Sequence, residues 1–230
     1  MNIENGGEMR KVLREIRKMP YYQNYAATSG AAPNIAKHEE AIEDRLVANG
    51  FMEHYPRSGR KKPTVGAISK KTRDLWLENP GKCNIPAGTY IAQPCGTQGS
   101  PDFIVKDFNG KVYFLECKSV KGGKPMYNSG GPKSNYIYIL TSKKYDQTTI
   151  FRGEDVLPLA ARELIHKHIA EARERDADLE ERLRSLNTSH GITYYTRPMI
   201  QHKGGRKAGN DYFLNENRSK YEQNVLESCK

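Results

Sequence analysis

The chain has no long apolar run. No window approaches the roughly 18 uninterrupted apolar residues of a membrane-crossing helix, so no membrane association is expected. Met1 to Arg10 contains no apolar stretch of the kind a secretory signal carries, and a cytoplasmic protein is the expectation. Cysteine is scarce: Cys83, Cys95, Cys117 and Cys229 are the full set of 4. None is spaced C-x-x-C and no histidine follows at finger spacing, which argues against a zinc module and for reduced thiols. Counting glycine and leaving out tyrosine, apolar residues make about 40% of the chain, below the roughly 45–50% of ordinary globular domains. There is no internal repeat and no low-complexity tract, which excludes a solenoid.

Positive charge is in excess. Lys and Arg total 37 against 27 Asp and Glu, a net charge of +10. A polyanionic partner fits that excess. At 230 residues the chain is long for one domain and short for two.

Periodicity organises the chain. Met9, Val12, Leu13 and Ile16 are spaced as one face of a helix from Glu8 to Met19, ended by Pro20. Ile35, Ile42 and Leu46 mark a second helix from about Ile35 to Asn49, with Gly50 as its C-cap. Arg57 to Lys71 reads as a basic loop, followed by a short helix from Thr72 to Leu77. Strands are expected at Thr89–Gln93, Asp102–Asp107, Lys111–Cys117, Tyr136–Thr141 and Thr148–Arg152, with Asn109-Gly110 turning a hairpin. Asp155 to Asn187 reads as one long helix or two, with Pro158 in the first turn. Its far half is dense in opposite charges at i,i+3 and i,i+4 and reads as a solvated face. Leu179, Leu183 and Leu186 are spaced to seam a dimer there. His166 and His168, two apart on that helix, do not share a face and are poor metal ligands.

The chemistry concentrates between Ser100 and Lys118. In the strand KVYFLECK, Val112, Phe114, Glu116 and Lys118 share one face, while Tyr113, Leu115 and Cys117 share the other. The strand is apolar on both faces until a carboxylate and an ammonium appear together. The Asn109-Gly110 turn folds Asp102 back toward Glu116. Two hard carboxylates are suited to Mg²⁺, and a lysine beside them can orient or deprotonate water or stabilise developing charge.

Pro101-Asp102 and Glu116-Cys117-Lys118 resemble the P-D-x(n)-(D/E)-x-K pattern of the PD-(D/E)xK nuclease superfamily. The resemblance implies that Asp102 and Glu116 hold Mg²⁺, that Cys117 lends its backbone carbonyl, and that Lys118 serves the water. It also implies a glutamate on the helix before the hairpin. In HEEAIEDRLVANGF that is Glu39 by spacing, with Glu40 and Glu43 as alternatives. After Lys118, Pro125, the run Tyr127-Asn128-Ser129-Gly130, Pro132 and the segment RGEDVL (Arg152 to Leu157) resemble type II restriction endonucleases. The resemblance spans about Ile35 to Leu157. It implies a restriction-endonuclease-like α/β fold, with a mixed central sheet flanked by helices, a long helix in the C-terminal half and a basic C-terminal region. It further implies one endonuclease domain over 1–230, with a catalytic core of about 35–157 and a helical, DNA-reading part of about 158–230. The implied activity is Mg²⁺-dependent cleavage of both strands of a short palindrome, GANTC-like, in double-stranded DNA, by a homodimer in a bacterial cytoplasm. A structure-selective repair nuclease or resolvase of the same superfamily and a non-catalytic DNA-binding protein are the alternatives.

Three basic stretches are candidates to face DNA. Arg57, Arg60 and Lys61 (with Lys62) can meet phosphates, which positions without specifying sequence. Lys121, Lys124, Asn128 and Ser129 leave the candidate active-site strand directly. Gln201, His202, Lys203, Arg206, Lys207 and Asn210 combine base-reading side chains with glycines that let backbone come close.

Overall fold

A computed structural model of the protein describes residues 8–21, 37–55, 68–96, 99–127, 130–186, 191–194, 196–202 and 211–229. It is a mixed α/β structure built on one six-stranded sheet. The strands are β1 (Met52–Glu53), β2 (Thr89–Ala92), β3 (Phe103–Lys106), β4 (Val112–Val120), β6 (Tyr136–Ser142) and β7 (Gln147–Arg152), in the order β1-β2-β3-β4-β6-β7. From β2 to β4 the strands are antiparallel neighbours; β6 then joins β4 in parallel and β7 returns antiparallel. β1 is parallel to β2. A separate two-stranded ribbon pairs β5 (Met126–Tyr127) with β8 (Ile200–Gln201).

Both faces of the sheet are covered, and the alternation of β4 shows why. Tyr113, Leu115 and Cys117 face a core shared with α1 (Glu8–Arg17), α2 (Lys37–Ala48) and α6 (Arg218–Ser228). Phe114, flanked by Val112 and Val120, faces a second core with Trp76 of α3 (Lys70–Glu78), Tyr127, Tyr212 and Phe213. A strand buried on both sides reads as a continuous apolar run, which is what VYFL presents.

The helices follow their local signals. All four apolar residues of α1 are buried. α2 ends at Gly50, whose φ of +87° is left-handed, with Gly50 N–H donating to Val47 and Phe51 N–H donating to Leu46. This six-to-one and five-to-two pattern satisfies the last carbonyls of the helix. α3 begins inside the segment expected to be loop, because the Ser69 hydroxyl accepts from Thr72 N–H at 3.1 Å and caps it. Pro158 does not sit within a first turn. It is the N-cap between a single turn, α4 (Gly153–Val156), and α5 (Leu159–Ser185), so the C-terminal helical region is two helices. No residue of the 27-residue α5 is buried. The stretch between Arg197 and His202 contains β8. Among the described residues no helix is long and apolar enough to cross a membrane.

Candidate active site

The site lies where the sheet opens. β3 and β4 stay paired as far as Phe103 opposite Leu115, and the last ladder bond runs from Asp102 N–H to the Leu115 carbonyl at 3.0 Å. Beyond it β4 continues to Val120, paired only with β6. Glu116 and Lys118 therefore sit within a central strand, not at its end as their charge implies. Cys117 N–H, which has lost its β3 neighbour, instead donates to Asp102 Oδ2 at 2.7 Å. That bond brings Asp102 beside Glu116, as the hairpin reading expects.

Glu116 is held by both oxygens. Oε1 accepts from Lys118 Nζ at 2.6 Å and Oε2 accepts from Ser100 Oγ at 2.7 Å. The Glu116 side chain is 7% exposed and that of Lys118 17%, so the pair is largely shielded from water. Burial disfavours the Lys118 ammonium, but the adjacent Glu116 carboxylate outweighs it and the net shift is upward. Lys118 is thus an ammonium at neutral pH. Asp102 is raised as well, but there the shift favours the neutral form: burial, then the charges of Glu116 and Glu39, hold its carboxyl well above the usual range. Burial and the charges of Asp102 and Glu39 likewise push up the Cys117 thiol, which makes it a packing group and not a nucleophile.

Of the three α2 glutamates, Glu39 is the one whose charge is felt at both Asp102 and Cys117, and its Oε2 accepts from Gln93 Nε2 at 3.0 Å. Glu43, one turn further on, is buried. Neighbouring His38 was not singled out in the sequence. It is 4% exposed, and among the described residues neither ring nitrogen has a hydrogen-bond partner. Burial, then the Lys118 charge, lowers its pKa to about 4, so it is a neutral imidazole.

Three carboxylates facing one ammonium leave the site short of positive charge, which adds to the effect of burial in raising Asp102. Among the described residues no three His, Cys, Asp or Glu side chains are grouped so as to hold a metal ion. The available hard donors are the Asp102 and Glu116 oxygens and the Cys117 carbonyl. That oxygen set suits Mg²⁺, which keeps several waters and takes one or two carboxylates.

The candidate DNA contacts divide. Lys124, Gln201 and His202 are brought together at the β5–β8 ribbon, and Lys121 lies just past the end of β4, where its carbonyl accepts from Lys144 N–H. Gln201 pairs with Met126, His202 N–H donates to the Pro125 carbonyl, and the His202 ring packs on Tyr127 with centroids 5.8 Å apart. Lys121 and Lys124 are exposed there. Arg57, Arg60, Lys61, Asn128, Ser129, Lys203, Arg206, Lys207 and Asn210 lie outside the described residues. The sequence reading also missed Ser100 and Gln93. Ser100 carried one signal, its place directly before Pro101-Asp102; Gln93 carried none.

Compared with known families, curated proteins and solved structures, the chain matches none.

Proposed function

We propose that this chain is a Mg²⁺-dependent endodeoxyribonuclease of the PD-(D/E)xK type, and that it acts as a type II restriction enzyme on a short palindromic site in double-stranded DNA. The observation that carries the reading is the convergence at the open end of the β3–β4 hairpin. Asp102 lies against the backbone of Cys117, and Glu116 is paired with Lys118, beside a site short of positive charge. An antiparallel meander followed by a parallel strand, covered on both faces, is consistent with a restriction-endonuclease-like fold.

In this reading Asp102, Glu116 and the Cys117 carbonyl hold the cation, with Glu39 supporting them. Mg²⁺, when bound, polarises the phosphate and lowers the pKa of its water. Lys118, kept charged by Glu116, donates hydrogen bonds to the attacking water or to a phosphate oxygen as negative charge develops. Lys121 and Lys124, exposed beyond β4, meet the phosphate backbone. A two-fold dimer suits cleavage of both strands of a palindrome, since protein symmetry then mirrors that of the site. The expected ends are 5′-phosphate and 3′-hydroxyl.

Lambda DNA incubated with the protein in Mg²⁺, in EDTA, and with Lys118→Ala in Mg²⁺ tests this. Discrete bands in the first lane alone are expected. A Mg²⁺-dependent smear would move the activity to a structure-selective or repair nuclease. Intact DNA in all lanes, with binding retained, would leave a non-catalytic DNA-binding protein.

A further inference from the structure

The connection between β2 and β3 reaches all three acidic groups of the candidate site. It begins at Gln93, whose φ of +47° is left-handed and whose Nε2 donates to Glu39 Oε2 at 3.0 Å. Near its end Ser100 Oγ donates to Glu116 Oε2 at 2.7 Å. Its last residue is Asp102 itself. The connection is braced from within. Gln93 N–H donates to the Asp102 carbonyl at 2.6 Å, and Gly99 N–H donates to the Gly96 carbonyl at 3.1 Å. A Cβ at Gly99 would lie 2.3 Å from both Cys95 Cβ and the Cys95 carbonyl oxygen, so no other residue fits there.

We propose that Ser100 and Gln93 are positioning residues that orient the Glu116 and Glu39 carboxylates, and so set how tightly the site takes a divalent cation. The proposal rests on the nuclease reading above. A carboxylate held at one oxygen still pivots. Glu116, held at Oε1 by Lys118 and at Oε2 by Ser100, does not. Gln93 does the same service for Glu39 from the opposite end of the connection. Gln93 Oε1 is buried with no partner among the described residues, so the side chain is not there to satisfy its own amide. It is oriented toward Glu39, and its backbone accepts a left-handed conformation to reach it. Groups that orient ligands from behind typically change metal affinity by roughly 10–100-fold when removed.

The test uses the full chain without DNA and Mn²⁺ as the probe, with free Mn²⁺ read by electron paramagnetic resonance. Ser100→Ala and Gln93→Met are each expected to bind Mn²⁺ about 10–100-fold more weakly than the unsubstituted protein. Ser100→Thr, which keeps the hydroxyl, should restore binding to within about threefold. Thermal unfolding in EDTA should be nearly the same for all four, because the role is orientation and not support of the fold. Mn²⁺ affinity unchanged in Ser100→Ala and Gln93→Met would overturn the proposal alone, as would equal losses in Ser100→Ala and Ser100→Thr. If Ser100→Ala does not fold, Gln93→Met decides by itself. If the unsubstituted protein binds no Mn²⁺, the nuclease reading falls and this proposal with it.

Discussion

Replacing Asp102 with asparagine should make the cation-free protein more stable while abolishing its activity. The structure fixes the sign. Asp102 Oδ2 accepts a 2.7 Å bond from Cys117 N–H, and an asparagine carbonyl oxygen can keep that bond. What the substitution removes is a charge that burial, Glu116 and Glu39 all disfavour. An acid whose pKa is raised by folding binds its proton more tightly in the folded state than in the unfolded one. Its destabilising contribution is absent below the unfolded value of 3.8, grows as pH rises above that, and is fully present once pH exceeds the folded value. Each pKa unit corresponds to about 1.4 kcal/mol. Removing a disfavoured buried charge is expected to stabilise by roughly 1–2 kcal/mol near neutral pH, the ordinary scale of a single substitution, and at about 2–4 °C per kcal/mol for a chain of this size that is readily measured. Scanning calorimetry in EDTA at several pH values between 4 and 8 is the assay. Asp102→Asn should unfold at the same temperature as the parent at the acid end and above it at neutral pH. Addition of Mg²⁺ should then raise the parent more than the variant, because the cation relieves the same repulsion. A variant less stable than the parent at neutral pH in EDTA would refute the claim that burial and the neighbouring charges disfavour an ionised Asp102.

Glu222→Ala should lower stability by about 2 kcal/mol, seen as a fall of about 4–8 °C in Tm. Glu222 Oε1 accepts from Thr149 Oγ1 at 2.6 Å and from Arg218 Nε at 3.1 Å, and Oε2 accepts from Arg17 Nη1 at 3.2 Å, tying α1, α6 and β7 together. The arginines are partly exposed, which keeps the effect below that of a fully buried pair. Lys121→Ala combined with Lys124→Ala should weaken binding to all DNA sequences alike and reduce the slope of log K against log salt by about 2, as measured by anisotropy in EDTA. An unchanged slope would remove the β5–β8 ribbon from the phosphate-contacting surface.

Much of this architecture is legible in the sequence, and what is not legible has a common cause. β3, β4, β6 and β7 announce themselves because each buries side chains on both faces, so apolar character persists through the alternation. The ends of β4 do not. Lys118, Ser119 and Val120 pair with Leu140, Thr141 and Ser142 of β6, yet a charged and a hydroxyl residue in succession look like a strand stopping. The backbone continues because its ladder on the β6 side is complete; the hydropathy falls because the β3 side has opened. Loss of strand character in the pattern thus marked the opening of the sheet. The two-residue strands β5 and β8 had no period to read, since their pairing depends on residues far apart in the chain.

The same distinction separates the candidate residues legible in the sequence from those visible only in the fold. Asp102, Glu116 and Lys118 are brought together by a short hairpin, so spacing along the chain is enough to place them. Glu39 was picked from three by its distance to Gly50, and its charge does bear on Asp102 and Cys117. Ser100 and Gln93 act through a connection whose form depends on a left-handed Gln93 and on the close approach of Gly99 to Cys95. Neither leaves a trace in hydropathy. Gln93 also makes its contact across more than fifty positions of sequence, to helix α2. Residues that bear the charge of a site are visible as motif because their chemistry restricts their type. Residues that aim those charges are restricted by geometry, and any donor of the right reach would serve. Support of that kind has to be read from the folded chain, and here it converges on one connection, which is why substitutions at Ser100 and Gln93 test the organisation of the site more sharply than a further substitution of its carboxylates.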